Sequence, residues 1–219
     1  MDKVVVFDLD DTLYKEIDFL NSAFKEIALN ISNDSGTSYN EIIGDMLHLY
    51  NNKENVFQSI LTKYNSRRYA VKDLIEIYRA HKPNISLSKE TKEVLNELHS
   101  NGIRFGMITD GRSVQQRNKI NALGLDKYFE HIIISDEFGF EKPHLANYTY
   151  FQNLFPNMSY YYIGDNVKKD FIAPNILGWK TICIKDDGRN IHSQNIKITR
   201  IQQPKYYITH FLELPNIIL

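Results

Sequence analysis

Short apolar runs that alternate with longer helical patterns constrain the fold of this chain more than any other feature of its sequence. Val4–Phe7 is a continuous apolar run, typical of a strand that is buried on both faces of a sheet. Because helical patterns separate the later runs, we predict an α/β fold with a Rossmann-like parallel sheet and helices on both faces. The later runs of the same character are Arg104–Ile108, His131–Ile134, Tyr160–Ile163 and Thr181–Ile184.

The helical segments between these strands carry start and stop signals. Ser88 is placed to cap a helix that ends at Asn101-Gly102, and a second helix is expected to end at Gly124. Pro143 is expected to open a third helix, since proline favours the first helical turn. For the tail we predict a polar loop over 190–203, an edge strand at Tyr206–Ile208 and a short closing helix at His210–Leu214.

One long interval interrupts this alternation. From Glu16 to Ala80 the sequence has no strand pattern, and apolar residues recur at helical spacing instead. We interpret residues 16–81 as an inserted α-helical cap domain and residues 1–15 and 82–219 as the core that it interrupts. The four helical stretches are Ile17–Ile31, Ile42–Tyr50, Val56–Leu61 and Val71–Tyr78.

Composition narrows the classes of function. The 219 residues carry a formal net charge of −1, so no broad basic field is present to hold nucleic acid. Seven histidines lack the spacing of a zinc site, and Cys183, the single cysteine, excludes an intrachain disulfide. The apolar run at Val4–Phe7 is too short for a signal peptide or a membrane span. We expect a cytoplasmic protein, a monomer or weak dimer, without nucleic acid or membrane partners.

Chemically reactive residues follow the predicted strands. In an open parallel sheet, ligands bind at the carboxyl ends of the strands. Asp8–Thr12 follows the first strand and Thr109–Arg112 the second, while Glu141–Pro143 lies a little beyond the third. Gly164–Asn166 follows the fourth, and Asp170 comes five residues after Asp165. The strand ends should therefore bring carboxylates, a hydroxyl and an ammonium to one edge of the sheet.

This collection of groups is suited to phosphoryl transfer. Several carboxylates repel one another unless a cation lies among them, and oxygen ligands without sulfur or imidazole select Mg²⁺. Thr109 is able to donate a hydrogen bond to a phosphate oxygen, and Lys142 supplies a positive charge. Asp8 would then be the nucleophile, and Asp10 would protonate the leaving oxygen and later deprotonate water.

The ordered set of motifs resembles the haloacid dehalogenase-like (HAD) hydrolase superfamily. Asp8–Thr12 looks like its first signature, Asp-x-Asp-x-Thr after the first strand, and Thr109 looks like its second. Lys142 resembles the third signature, and Gly164-Asp165 with Asp170 resembles the fourth. The resemblance runs from residue 8 to residue 170, and it implies a Rossmann-like core with a helical cap inserted after the first signature.

The resemblance also implies a role for each of these side chains. Asp8 would be nucleophile and metal ligand, and Asp10 would be the acid/base with its backbone carbonyl on the metal. Asp165 would be a further metal ligand. Asp170 would orient Lys142 or support the metal shell. An aspartate at position 10 argues against the dehalogenases that gave the family its name, since they lack one there.

The second signature contains one departure from the family pattern. Asp110 stands where the family more often has asparagine, and we expect its backbone N–H to serve while its side chain turns away. Thr109, Asp110, Gly111 and Lys142 are the predicted substrate-binding residues. Simpler interpretations make Thr109 and Asp170 helix caps and Lys142 an exposed surface lysine.

Three functions remain open at this point. The first is a magnesium-dependent phosphomonoesterase acting on a small phosphorylated metabolite, either a sugar phosphate or a nucleoside monophosphate. The second is a phosphomutase with the same nucleophile, and the third is a signalling module that carries a phosphoaspartate. The two-residue step from Asp8 to Asp10 and the inserted helical segment favour an enzyme.

Overall fold

The computed structural model describes residues 2–219 and contains a six-stranded sheet in which each pairing of neighbouring strands is parallel. The strand order is β3-β2-β1-β4-β5-β6. This arrangement confirms the predicted Rossmann-like α/β architecture, including the edge strand of the tail. The strands are β1 (Lys3–Phe7), β2 (Arg104–Thr109), β3 (His131–Ile134), β4 (Ser159–Gly164), β5 (Lys180–Ile184) and β6 (Tyr206–Ile208).

The strand order reverses at the centre of the sheet. The chain moves outward from β1 through β2 to β3, then returns to place β4 on the other side of β1. Val6 is consequently paired with Gly106 on one side and Tyr162 on the other. Beyond β1, the Asp8 N–H donates to the carbonyl of Ile163 at 2.8 Å, so the pairing extends to Asp8. Such a reversal leaves a crevice at the carboxyl ends of the two central strands, where α/β proteins bind ligands.

The alternation of side chains along β1 builds a core on each face of the sheet. Val4 and Val6 belong to a buried cluster with Phe151. Phe7 points to the opposite face, where its ring packs edge-on against Phe105 with centroids 5.4 Å apart. Both faces of the central strand are therefore buried, which is why its sequence is apolar at each position from Val4 to Phe7 instead of alternating.

The helices that flank the sheet begin and end largely where the sequence predicts. Ser88 Oγ accepts from Thr91 N at 3.0 Å to cap α5, and Gly124, with φ +63°, ends α6. The expectation for Pro143 is wrong, because α8 begins two residues later with His144 as its cap. These helices are α5 (Lys89–Ser100), α6 (Ser113–Leu123), α7 (Ser135–Phe138), α8 (Leu145–Leu154), α9 (Ile172–Ile176) and α10 (Leu214–Ile218).

The tail differs from its prediction in detail. A short 3₁₀ helix, Arg200–Gln202, interrupts the polar loop, and a second one, Phe211–Glu213, occupies most of the predicted closing helix. The α-helix proper is α10, which begins at Leu214 and carries Pro215 in its first turn.

Residues 18–85 form a second compact unit, separate from the unit made of the residues up to Ile17 and Ser86–Leu219. Its core consists of buried apolar side chains at helical spacing, such as Ile27, Ile42 and Leu74. Within the described residues, no helix is long and apolar enough to cross a membrane. The helices are α1 (Glu16–Ser35), α2 (Tyr39–Asn51), α3 (Val56–Lys63) and α4 (Val71–Ala80).

Candidate active site

A buried lysine pairs with carboxylates from two distant chain segments at the edge of the sheet. The Lys142 ammonium lies 2.7 Å from Asp8 Oδ1 and 2.8 Å from Asp170 Oδ1. The side chains of Lys142 and Asp170 are 1% and 0% exposed, so both are shielded from water. Lys142 is therefore not the surface lysine of the simpler interpretation. Because two carboxylates face it, the pKa of Lys142 is raised despite its burial.

Asp8, Asp165 and Asp170 form a buried carboxylate cluster. One oxygen from each carboxylate lies within 4.8 Å of the other two. Burial raises the pKa of Asp8 to about 7, against the lowering effect of Lys142. Burial, together with the charges of Asp170 and Asp8, raises the pKa of Asp165 to about 9. The cluster therefore holds more negative charge than its surroundings compensate, which is the electrostatic condition for holding a cation.

Asp165 is oriented by a residue that lies far along the chain. Asn190 Nδ2 donates to Asp165 Oδ2 at 3.0 Å, and Asn190 Oδ1 accepts from the Lys15 ammonium at 2.7 Å. The loop that carries Asn190 is held in place by a further hydrogen bond, since the Ile191 N–H donates to Asp11 Oδ2 at 2.8 Å. Asp11, with φ +54°, also accepts from Glu16 N and so has a structural role, as expected for a turn residue.

The Asp10 carboxylate lies apart from this cluster and is held by three donors. Its Oδ1 accepts from Lys119 Nζ at 2.7 Å and from the Tyr14 hydroxyl at 2.5 Å, while Oδ2 accepts from Gln116 Nε2 at 2.9 Å. Burial alone would raise the pKa of Asp10, but the charge and hydrogen bond of Lys119, with the other two donors, lower it below its ordinary value. Glu16 lies 3.6 Å from Lys119, and burial beside Asp10 raises its pKa to about 8.

Thr109 is the last residue of β2 and is 1% exposed. Its Oγ1 accepts from Gln116 Nε2 at 2.6 Å, and the residue that caps α6 is Arg112, so Thr109 is not a helix cap. Gly111 has φ +142°, and its N–H donates to Ser135 Oγ at 3.0 Å.

The Asp110 carboxylate has its own partners. Its Oδ1 accepts from the backbone N–H of Lys142 at 3.0 Å, and its Oδ2 pairs with the Lys169 ammonium at 2.6 Å. Asp110 thereby connects the second predicted signature to the third through Lys142, and the positive charge of Lys169 balances its carboxylate.

Asp170 also has a defined position. Its Oδ2 accepts from Asn166 N at 2.9 Å, whereas Phe171 is the cap residue of α9. The helix-cap interpretation of Asp170 is therefore wrong. Gly164 makes this packing possible, since a Cβ there would lie 2.4 Å from Asp170 Oδ2.

A cavity of about 100 Å³ opens between these groups. Its lining is strongly polar, with both signs of charge. Gly111 is not part of this lining and contributes instead to a neighbouring cavity with Arg112 and Ser135. The lining residues are Asp8, Asp10, Asp11, Glu16, Thr109, Asp110, Lys142, Asp165, Asn166, Lys169 and His192.

Comparison with known proteins decides the family. The model of the family described as haloacid dehalogenase-like hydrolase matches residues 5–184. The chain belongs to this family. The resemblance that rested on four short motifs is thus confirmed by a match that spans most of the sequence.

Named relatives of this HAD hydrolase are phosphatases. The glyceraldehyde 3-phosphate phosphatase of Methanocaldococcus jannaschii is 31% identical over 198 residues, which cover 84% of this chain and 85% of that protein. The ribulose-1,5-bisphosphate 5-phosphatase of Halopiger xanaduensis is 26% identical, covering 83% of this chain and 84% of that protein. The prediction of an enzyme from the phosphatase branch of the family is confirmed by these relatives.

Solved structures of HAD proteins share the fold. The magnesium-bound HAD hydrolase YfnB of Bacillus subtilis superposes with a TM-score of 0.67 at 20% identity, covering 99% of this chain and 98% of that one. A HAD phosphatase from Thermococcus onnurineus gives a TM-score of 0.60 at 22% identity, with coverage of 99% and 97%.

Several residues of this HAD site escaped the sequence analysis. Gln116 and Lys119 lie three positions apart on α6, so they share a helix face, but their sequence pattern does not show that this face meets Asp10. Lys119 stands directly before Ile120, at a position where the helical spacing predicts an apolar residue. A charged side chain at such a position was the available signal. Asn190 gave no signal, because it stands in a polar loop.

Proposed function

We propose that this HAD protein is a magnesium-dependent phosphomonoesterase that hydrolyses a small sugar phosphate through an aspartyl phosphate on Asp8. The observation that carries the proposal is the pairing of Asp8 with Lys142 at 2.7 Å beside a buried carboxylate cluster at the strand reversal. A nucleophile that is both buried and charge-compensated is what attack on an anionic phosphate requires.

The carboxylate cluster fits Mg²⁺. Its donors are oxygens of Asp8, Asp165 and Asp170, without sulfur or imidazole, and burial raises the pKa of the first two. Asp8 and Asp165 would hold the ion, together with the predicted backbone carbonyl of Asp10, while Asp170 supports Lys142. When bound, the ion would neutralise phosphate charge and reduce its repulsion from Asp8.

In the first half-reaction an Asp8 oxygen attacks phosphorus and the bond to the sugar oxygen breaks. Lys142 keeps the attacking carboxylate oriented, and Thr109 donates a hydrogen bond to a phosphoryl oxygen. Asp10 delivers a proton to the leaving oxygen. Because Lys119 and its neighbours keep Asp10 ionised in the free protein, this proton has to arrive with the substrate. A phosphate monoester, with a second pKa of about 6, carries one on its monoanion.

In the second half-reaction water attacks the aspartyl phosphate. Asp10 takes the proton from the attacking water, the phosphorus–oxygen bond to Asp8 breaks, and phosphate leaves; Asp10 then releases its proton to solvent and returns to its ionised form. The lowered pKa of Asp10 keeps the carboxylate ionised and therefore able to accept this proton, and three donors hold it in place.

Sugar phosphates are the substrate class that we favour over nucleoside monophosphates. The names of the relatives refer to phosphorylated carbohydrates: glyceraldehyde 3-phosphate, ribulose 1,5-bisphosphate and N-acylneuraminate 9-phosphate. We therefore start from glyceraldehyde 3-phosphate as the test substrate.

The assignment of residues 16–81 as a cap remains a proposal. It is supported by their position in the chain, since the helical unit of residues 18–85 is inserted between β1, which ends beside Asp8, and β2, which ends at Thr109. Substrate contacts from Asp110 and Gly111 remain proposals as well. The N–H of Gly111 already has a partner in Ser135, so its contact would require that bond to be exchanged.

The test measures phosphate released from glyceraldehyde 3-phosphate and from a panel of sugar phosphates and nucleoside monophosphates. We expect release by the wild type with magnesium, and loss of release with EDTA or in Asp8→Asn. Asp126→Asn, at an exposed loop position, is the matched control and should keep full activity. Undiminished release by Asp8→Asn would refute the mechanism. Transfer of phosphate to a second sugar hydroxyl without its release would identify a mutase.

A further inference from the structure

Gln116 makes two hydrogen bonds from a single buried amide nitrogen. Nε2 lies 2.6 Å from Thr109 Oγ1 and 2.9 Å from Asp10 Oδ2, and the residue is 1% exposed. A primary amide nitrogen carries two hydrogens, so both donors are used in these contacts. One side chain on α6 thus joins the group proposed to bind phosphate to the group proposed to move the proton.

The chemistry of the partners determines which way the amide faces. The Asp10 carboxylate already accepts from Lys119 Nζ at 2.7 Å and from the Tyr14 hydroxyl at 2.5 Å, so it acts as an acceptor, and the amide nitrogen rather than the oxygen faces it. Thr109 Oγ1 then accepts from the same nitrogen. Its single hydroxyl hydrogen is consequently directed away from Gln116, which leaves the hydroxyl as a donor to another group.

The surroundings of Gln116 are shaped to hold this arrangement. A Cβ at Gly111 would lie 3.1 Å from Cδ and 3.2 Å from Cγ of Gln116, so the absence of a side chain there makes room for the amide. Gly111 also has φ +142°, a backbone conformation that favours glycine. The Gln116 backbone N–H donates to the carbonyl of Arg112, which fixes the backbone of Gln116 near the start of α6.

We propose that Gln116 is a positioning residue that directs the hydroxyl of Thr109 toward the phosphoryl oxygen and holds Asp10 in its acid/base orientation. The inference rests on the proposed function, because it assigns Gln116 to the same site. If Gln116 had only a structural role, its substitution would lower the stability of the protein but would have no separate effects on phosphate binding and on proton transfer. The proposal is therefore tested with measurements that separate these two effects.

The first measurement is the affinity for inorganic phosphate, determined by calorimetry with magnesium present. We expect Gln116→Met, which keeps the size but removes the donors, to weaken phosphate binding about tenfold or more. In a Thr109→Val background the same substitution should change phosphate affinity by less than about twofold, because the hydroxyl that it directs is already absent. Gln115→Met, the identical change at the preceding position of α6, should bind phosphate like the wild type.

The second measurement compares two phosphate esters. Glyceraldehyde 3-phosphate has an alkoxide leaving group that needs a proton, whereas p-nitrophenyl phosphate has a leaving group that needs little protonation. We expect Gln116→Met to reduce kcat/KM for the first by about tenfold to a hundredfold and for the second by clearly less. Gln116→Glu, which is isosteric but accepts hydrogen bonds, should behave like Gln116→Met and provides a second variant if Met impairs folding.

The outcomes distinguish this inference from the proposed function. Unchanged phosphate affinity in folded Gln116→Met and Gln116→Glu, or additive effects with Thr109→Val, would overturn the role toward Thr109. Equal losses on the two esters would overturn the role toward Asp10. If the wild type hydrolyses no ester, the proposed function fails while the phosphate-binding cycle still decides the role of Gln116. A wild type that binds no phosphate with magnesium present overturns both.

Discussion

Gly164→Ala should disrupt the site, although Gly164 is not one of the residues proposed to take part in the reaction. Gly164 ends β4, and a Cβ built on it lies 2.4 Å from Oδ2 and 2.9 Å from Cγ of Asp170. Carbon and oxygen need about 3.4 Å or more, so the Asp170 carboxylate has to retreat by about 1 Å. Asp170 is fully buried, and its carboxylate lies against Gly164, Asn166 N and the Lys142 ammonium, so this movement has to disturb existing contacts.

The displacement of the Asp170 carboxylate weakens two of its buried contacts. One is the ion pair with Lys142 Nζ at 2.8 Å, and the other is the hydrogen bond from Asn166 N to Oδ2 at 2.9 Å. Breaking a buried ion pair outright costs about 3–5 kcal/mol. Because Asp8 still faces Lys142, we expect Gly164→Ala to lower the free energy of unfolding by about 2–4 kcal/mol. For a chain of this size that loss corresponds to a fall in Tm of about 4–16 °C.

Calorimetry of thermal unfolding measures the effect, and two variants check its cause. Gly44→Ala, in the interior of α2 with open space around the added methyl, should raise stability by up to about 1 kcal/mol. In an Asp170→Ala background the clash is absent, so adding Gly164→Ala should lower the free energy of unfolding by less than about 1 kcal/mol. The reasoning is refuted if Gly164→Ala melts within 1 °C of the wild type, or if its full cost persists without the Asp170 carboxylate.

Three further predictions concern the charged groups. Lys142→Met should reduce kcat about a hundredfold to a thousandfold while the protein stays folded by circular dichroism, since Asp8 loses its cation; near-normal turnover would argue against the pairing. Asn190→Leu should weaken Mg²⁺ binding about tenfold to a hundredfold in calorimetric titration, because Asp165 loses its orienting donor, whereas Asn195→Leu in the same loop should not. Burial raises the pKa of Asp8 to about 7 and of Asp165 to about 9, so the folded protein binds more protons than the unfolded chain between roughly pH 4 and pH 9. Stability without metal should therefore fall as pH rises through this window, and the Tm gained from Mg²⁺ should be larger at pH 8.5 than at pH 5; an equal gain at both would contradict the cluster as the binding site.

Much of the fold followed from local patterns. The run Val4–Phe7 predicted a strand buried on both faces, and the structure places it at the centre of the sheet with a core on each side. Gly124 predicted the end of α6, because a left-handed residue there closes the last turn. Pro143 misled the prediction, since a proline that favours a helix start also occurs in the turn that precedes one, and α8 begins two residues later.

Part of the candidate site, too, was predictable from the sequence and part was not. That Asp8, Thr109, Lys142 and Asp165 would share one edge of the sheet was predictable, because each follows a strand and parallel strands end together. Their partners were not predictable. Gln116 lies 106 residues from Asp10, and their hydrogen bond depends on the angle at which α6 crosses the sheet. The same holds for Asn190, whose loop meets Asp165 only after β5 has taken its place beside β4.

The sequence by itself determined which elements form and which strand ends carry reactive groups, because hydrophobic periodicity and chain order are local properties of the polymer. Tertiary structure alone decided how those groups are charged and oriented. Asp10 and Asp165 are both aspartates that follow strands, yet three donors lower the pKa of the first while burial among carboxylates raises that of the second. The difference arises because electrostatic interactions depend on distance and burial in three dimensions, and neither quantity is encoded in sequence spacing.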